Sequence, residues 1–161
     1  MSIIDTLITD RSAADIAALK SLFSKNFASM SAAEQANWLQ NSKGAYNASD
    51  MNRVGQALNY LKQIMTVQCG KYFSWTAKLD WTYTDVPTLV QLQAYAQQIT
   101  DIRNALTVPA TTAVVPSMQR LTYQQANDIE DILKLCDQLV KNVLKAFRYA
   151  GAAECAVGGL L

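Results

Sequence analysis

Histidine is absent from this chain of 161 residues. Its absence excludes catalytic triads that contain histidine, most zinc sites and the commonest general base at neutral pH. The short patterns of other catalytic classes are missing as well: G-x-S-x-G, the P-loop, G-x-G-x-x-G, the EF-hand loop and C-x-x-C. We therefore expect a protein that is not an enzyme and that holds no metal and no cofactor.

Charged residues are also scarce. They make up only 17% of the chain, against about 25% in an average domain, and Asn and Gln supply much of the remaining polar surface. A surface of neutral amides repels its neighbours weakly, which suits packing against copies or partners, although an ordinary neutral protein fits equally well. The formal net charge of +1 leaves no basic footprint, so we expect no nucleic-acid or membrane partner.

Long apolar runs and paired cysteines are missing too. No uninterrupted apolar stretch approaches the ~20 residues of a membrane span. Residues 1–5 lack the basic region and the apolar block of a signal peptide. Cys69, Cys136 and Cys155 have no paired spacing, which predicts reduced thiols in a protein made in a cytoplasm.

Helical periodicity is what the sequence does have, above all over residues 122–149. Apolar residues recur there every three or four positions, the pattern of one face of an α-helix. Thr122 and Gln125 form a capping-box start, and Gly151 predicts the end of the helix. Such a helix is about 40 Å long and spans a domain of this size. We expect it to be the internal spine of the fold rather than a contact between subunits.

Four further helices are predicted upstream, each after a capping signal. They run from Ser12 to about residue 28, from Ser31 to a stop at Gly44, from residue 49 or 50 to about 68, and from residue 87 to about 106. The sequence therefore predicts an all-α fold in one domain, residues 1–161. It is an antiparallel bundle of four to five helices with a long C-terminal helix and an aromatic-rich loop. The third and fourth helices pack on the long one, and the first two complete the core.

Several polar or small residues receive structural interpretations. Asn47 lies in a glycosylation sequon, but it also suits the start of the third helix, and we favour the cap. Gly55 costs that helix about 1 kcal/mol relative to Ala, which predicts the close approach of another helix. Near the start of the long helix, we expect Glu130 or Asp131 to pair with Lys134.

The two ends of the chain lie outside the predicted helices. Residues 1–11 form an arm, either a short helical turn or an extended segment, that needs an apolar groove in its own chain or in a neighbour. Its large aliphatic residues are Ile3, Ile4, Leu7 and Ile8. Residues 151–161 are predicted to be a flexible tail.

Residues 70–87 break the helical pattern and contain five aromatic residues. Alternating Ser and Thr favours either two short strands or an ordered loop. Trp75, Trp81 and Tyr83 either stack on a sugar or a partner, or fold back and close the open end of the bundle. We favour the second interpretation.

Four segments together resemble a known family. They are IIDTLITDRSAADI (3–16), KGAYNASDMNRVGQALNYL (43–61), DWTYTDVPTLVQLQAYAQQI (80–99) and LTYQQANDIEDIL (121–133). The family consists of small, largely uncharacterised proteins encoded among the tail and structural genes of phages and prophages of Gram-positive gut bacteria. The resemblance extends to about Tyr149. It implies a structural component of the virion and brings no catalytic motif with it.

The leading prediction is therefore a non-enzymatic subunit or adaptor of a phage tail, baseplate or tail fibre. Its predicted partners are copies of itself and other phage structural proteins. Two segments are predicted to dock: the arm, through Ile3, Ile4, Leu7 and Ile8, and the tail, through Cys155, Leu160 and Leu161. The alternative is a module that binds a glycan of the host surface through Trp75, Trp81 and Tyr83.

Overall fold

The computed structural model describes the backbone of residues 2–157 and the side chains of residues 2–39 and 42–150. Over this range the fold is all-α and contains no strand, which confirms the predicted class. The five helices are α1 (Ala13–Phe23), α2 (Ala32–Ala36), α3 (Ala48–Cys69), α4 (Leu89–Asn104) and α5 (Tyr123–Val157). A π-helical turn, Asn37–Asn41, continues α2.

Each helix begins at a capping box, and the sequence predicts three of these boxes, at Ser12, Ser31 and Thr122. The N-cap side chain accepts a hydrogen bond from a backbone N–H of the first turn, and a side chain three residues on closes the box. The N-cap residues are Ser12, Ser31, Asn47, Thr88 and Thr122. Asn47 is therefore a helix cap, as expected. At the other end of α3, Gly70 adopts a left-handed conformation with φ of 64°, which glycine reaches without a steric cost.

The hydrophobic core lies where α3, α4 and α5 pack against one another. Its largest fully buried apolar side chains come from these three helices, with a three- or four-residue spacing on each. They are Leu58, Leu61 and Met65 on α3, Ile99 and Ile102 on α4, and Ile129, Ile132 and Leu133 on α5.

The first two helices do not complete this core, contrary to the prediction. Neither α1 nor α2 has a buried residue, and Phe23 and Phe27 are both largely exposed. Phe23 instead packs edge-on against Trp38, with 4.5 Å between the ring centroids. The arm supplies Ile4 and Leu7 to the core in place of these helices.

Gly55 does allow a close approach, but the approaching segment is a loop and not a helix. A Cβ at this position would lie 2.7 Å from the backbone oxygen of Lys78 and 3.0 Å from Cδ2 of Leu79. Both residues belong to the aromatic loop between α3 and α4. The prediction of a neighbouring helix is therefore wrong, since the loop crosses α3 there.

Helix α5 does not stop at Gly151, where the sequence predicts its end. It continues to Val157, so the first part of the predicted flexible tail is helical. The residues after the glycine include Ala152, Ala153 and Ala156, which are the strongest helix formers and offset the ~1 kcal/mol cost of the glycine.

Candidate functional site

The N-terminal arm lies in a groove of its own chain. It begins with a 3₁₀ turn, Ile3–Thr6, which contacts α3 and α5. Ile4 and Leu7 are buried in the core, and Ile3 packs against it. Of the two grooves that the sequence allowed, the structure uses the internal one. Docking of the arm on a partner stays a prediction, and it would require Ile4 and Leu7 to leave the core.

Four charged side chains hold the arm against α3 and α5 through ion pairs. We name them the charge cluster: Arg11, Asp50, Arg53 and Glu130. Arg11 donates from Nη2 to Asp50 Oδ1 at 2.9 Å and to Glu130 Oε1 at 2.6 Å. Arg53 donates to the same two carboxylates. Two cations therefore face two anions, so the cluster adds no net charge to the interior.

Glu130, on α5, forms hydrogen bonds to both the arm and α3. It is fully buried, and its Oε2 accepts a hydrogen bond from the backbone N–H of Ile8 at 2.6 Å. Arg53 donates to it through Nε at 3.1 Å and through Nη2 at 2.9 Å. Burial lowers the pKa of Arg53, but the adjacent Glu130 and Asp50 carboxylates raise that pKa by more. The guanidinium therefore stays charged.

The predicted pairing of Glu130 or Asp131 with Lys134 is not found. Lys134 donates to Thr9 Oγ1 at 3.1 Å, and Glu130 faces the two arginines instead. The reason is geometric, because Glu130 lies on the face of α5 that packs against the arm and α3. A carboxylate on that face needs a cation from those segments.

The aromatic loop, residues 70–87, is held against α3 and α4 by hydrogen bonds. Trp75 donates from Nε1 to Asp101 Oδ2 at 2.9 Å. The backbone N–H of Trp81 donates to Asn52 Oδ1 at 2.9 Å, and Asn52 Nδ2 donates back to the Trp81 carbonyl at 2.8 Å. Trp81 is buried in the core, whereas Tyr83 is exposed. The three predicted glycan-binding residues therefore do not share one open surface.

A pocket of about 650 Å³ opens where the aromatic loop meets the start of α3 and the end of α2. Its walls combine four aromatic rings with amide and hydroxyl side chains. The aromatic rings are those of Trp38, Tyr46, Trp81 and Tyr83. Trp75, by contrast, does not line it. This pocket (the aromatic pocket) brings together residues that are up to 49 positions apart in the sequence.

A different surface is formed by the outer half of α5, residues 141–150. The inner half, residues 126–140, is covered by the core, and Val140 is only 1% exposed. Beyond it the apolar stripe continues without cover, since Val143 is 41% exposed and Phe147 73%. The expectation that the whole helix is an internal spine is therefore wrong for the outer half.

The outer half of α5 is also basic. Lys141 pairs with Asp137 at 2.6 Å, and this hydrogen bond raises the pKa of Lys141. Lys145 lies over the ring of Tyr149, with Nζ 5.8 Å from the ring centroid. Neither Lys145 nor Arg148 forms an ion pair with any residue in the described part of the chain.

A cavity of about 600 Å³ lies at the start of α5, against the crossover from α4. We name it the acidic cavity because two carboxylates, Asp128 and Asp131, line it against a single cation, Lys134. Apolar surface comes from Ile132 and Leu135. Burial raises the pKa of Asp131. The charge of Lys134 opposes this increase, and the charge of Asp128 adds to it. Neither carboxylate forms an ion pair with a described residue, although the Thr9 hydroxyl donates a hydrogen bond to Asp131. A cation from outside would meet two carboxylates and one lysine there.

The second predicted docking segment falls largely outside the description. Leu160 and Leu161 lie beyond the described residues, as does the side chain of Cys155. Among the side chains that are described, no group of three or more Cys, Asp or Glu is placed to hold a metal ion. No helix in the same range is long and apolar enough to cross a membrane.

The charge cluster and the asparagines of α3 are the residues that sequence reasoning missed. Glu130 and Asp137 occur within the apolar stripe of α5, at positions where periodicity expects a hydrophobic residue. A carboxylate inside such a stripe signals a buried cation. Asn52 and Asn59 are seven residues apart on one face of α3, and both bond to the backbone of the aromatic loop. That spacing is the signal for a segment lying along the helix.

The chain was compared with known proteins. No protein-family model matches it, and neither a curated protein nor a solved structure shows significant similarity to it.

Proposed function

We propose that this protein is a non-enzymatic structural subunit or adaptor of a phage particle, in the tail, baseplate or tail fibre, acting through protein–protein contacts. The observation that carries the proposal is the outer half of α5. There the apolar stripe of a core helix runs on into solvent through Val143 and Phe147, and Tyr149 is exposed on another face of the same segment. Exposed apolar surface on a folded chain marks a contact site.

The partner in this contact is a second copy of the same chain. The outer half of α5 carries Lys145 and Arg148 without a carboxylate partner among the described residues. The acidic cavity carries two carboxylates, Asp128 and Asp131, and one cation, Lys134, with which neither forms an ion pair. Apolar side chains lie beside the charges on both surfaces. Leu144 and Tyr149 line one surface of the helix together with Lys145 and Arg148, and Leu135 lies beside the carboxylates in the cavity. The two surfaces are therefore complementary in charge and in apolar character.

Such a contact is head-to-tail, because it joins two different surfaces of the same chain. Repetition of a head-to-tail contact produces a closed ring or an open filament, depending on the rotation between copies. Two outer halves packed against each other would instead bring four unpaired cations together. The charges of the two surfaces thus favour the head-to-tail contact over a contact between two outer halves. A repeating assembly is built from head-to-tail contacts.

The phage assignment rests on the resemblance of the four segments, supported by the low charge of the chain. Its test is the protein content of purified particles from a lysogen that encodes this chain. The proposal expects peptides of the protein in the particles, at an amount that scales with a known tail protein. Detection of the protein in the lysate but not in the particles would contradict it.

The contact has a separate test in the purified protein. Light scattering at rising concentration is expected to give a mass above that of the 17.7 kDa chain. The double substitution Phe147→Ser with Tyr149→Ser is expected to return the monomer mass, because it removes the two exposed aromatic side chains of the outer half, one of them beside Lys145 and Arg148. Gln124→Ser with Gln138→Ser, at exposed polar positions of the same helix, is the matched control and keeps the larger mass.

A further inference from the structure

The aromatic pocket is built from three separate segments, and its walls are held by contacts within the chain. The Tyr46 hydroxyl shares a hydrogen bond of 2.6 Å with the hydroxyl of the buried Tyr95. On the other side, the Arg11 guanidinium carbon lies 5.6 Å from the centroid of the Tyr46 ring. This wall is therefore fixed before any ligand arrives, which lowers the entropic cost of binding.

Two other walls of the pocket are also held by contacts within the chain. Trp81 is tied to Asn52 by two backbone hydrogen bonds, and Trp38 packs edge-on against Phe23. Tyr83 differs, because it lines the pocket but is 75% exposed. The pocket thus has three supported rings and one ring at its open side.

The polar groups restrict the chemistry of the ligand. Of the described residues that line the pocket, Asp85 alone is charged, and there is no Lys or Arg. An anionic ligand such as a phosphate would find no cation there. Trp81 is one of the lining residues, and its buried Nε1 has no hydrogen-bond partner. The pocket therefore offers aromatic faces, a carboxylate, amides and hydroxyls to a ligand that is neutral and rich in hydroxyl groups.

We propose that the aromatic pocket binds a neutral pyranose sugar unit, such as the terminal residue of a glycan. The apolar face of the ring stacks on Tyr83, and its hydroxyls reach Asp85 and the amides at the start of α3. A volume of about 650 Å³ lies within the range of small-molecule sites and accommodates one or two such rings. The inference goes beyond the assembly role and does not depend on it, because the pocket shares no residue with the outer half of α5 or the acidic cavity.

The experiment titrates the full chain with a panel of neutral methyl glycosides and follows binding by saturation-transfer NMR. The panel contains glucose, galactose, mannose, rhamnose and N-acetylglucosamine, and a proline-rich peptide is included because aromatic grooves also bind such segments. At least one glycoside is expected to bind saturably, with Kd on the order of 1 mM. Tyr83→Ala should weaken that binding about tenfold.

Tyr72→Ala is the matched control, since this tyrosine is on the same loop, is 85% exposed and does not line the pocket. It is expected to leave the affinity for the glycoside unchanged. A second variant, Ala48→Trp, fills the pocket from the first turn of α3 and should abolish binding while the helical circular dichroism is retained. Three results overturn the proposal: no glycoside binds, Tyr83→Ala binds as the unmodified chain does, or only the peptide binds.

Discussion

The inner and outer halves of α5 have the same periodicity and opposite surroundings. In the inner half, Ile129, Ile132 and Leu133 are fully buried against α3 and α4. In the outer half, Val143 and Phe147 continue the same stripe but face solvent. An apolar stripe therefore shows which face of a helix is apolar, but it does not show whether the chain itself covers that face.

The lengths of the helices explain the difference. Helix α5 has 35 residues and is ~52 Å long, whereas α3 has 22 residues and α4 has 16, or ~33 Å and ~24 Å. The two shorter helices cannot cover α5 over its whole length. The uncovered part is therefore a consequence of chain architecture, and we propose that a second copy covers it.

The largest expected loss of stability comes from the charge cluster, to which the inner half of α5 contributes Glu130. Glu130→Ala removes one acceptor of Arg11 and of Arg53 and the acceptor of the Ile8 N–H, and it leaves the two arginines with Asp50 as their one carboxylate partner. We expect a loss of about 3–5 kcal/mol in the free energy of unfolding, measured in urea. Gln124→Ala, at an exposed position of the same helix, should change that free energy by less than about 0.5 kcal/mol. Equal effects of the two substitutions would contradict the assigned cluster.

The next largest effect is a difference in stability between the two halves of α5 when a large apolar residue is replaced by alanine. Leu133→Ala in the inner half is expected to lower the free energy of unfolding by about 2–5 kcal/mol, because it opens a cavity in the core. Phe147→Ala in the outer half should lower that of the monomer by less than about 0.5 kcal/mol. Urea unfolding at a dilution where the chain is monomeric measures both. A large loss for Phe147→Ala would mean that the outer half is covered within the chain.

The smallest effect is a dependence of stability on pH that comes from a buried thiol in the inner half. Burial raises the pKa of the Cys136 thiol from 9.0 to about 11. The folded state therefore favours the neutral thiol, so this contribution is fully present below pH 9 and is lost as the pH rises to about 11. It amounts to less than about 3 kcal/mol. Burial also raises the pKa of Tyr46 and of Tyr95, which adds to the loss at high pH.

The measurement for this effect is the slope of the free energy of unfolding between pH 9 and about 11. Cys136→Ala should make that slope shallower, whatever its effect on stability at neutral pH. Cys69→Ala, at a half-buried position outside α5, serves as the control and should leave the slope unchanged. Identical slopes for the unmodified chain and for Cys136→Ala would show that the thiol is not buried as described.

Much of the fold follows from local sequence signals. Capping boxes at Ser12, Ser31 and Thr88 give the helix starts because both partners lie within four residues of each other. The all-α class follows from the periodicity between them. The end of α5 was missed because a single glycine does not stop a helix when strong helix formers follow it.

The candidate site was less accessible to sequence reasoning. The ion pair between Arg11 and Glu130 joins residues 119 positions apart, and no local rule connects them. The aromatic pocket was missed for the same reason, since Trp38 and Tyr46 lie far from Trp81 in the chain. Only Trp81 and Tyr83 of the predicted aromatic set line it, and Trp75 is held by Asp101 instead.

The central claim is that the outer half of α5 docks in the acidic cavity of a second copy. Its most direct test uses two charge-reversed chains, one with Lys145→Glu and Arg148→Glu, the other with Asp128→Lys and Asp131→Lys. Each chain alone repels itself at the head-to-tail contact, whereas in an equal mixture every contact again joins opposite charges. Light scattering should give 17.7 kDa for each variant alone and a larger mass for the mixture. A mixture that stays at the monomer mass, or an unmodified chain that is monomeric at every concentration, would contradict the account.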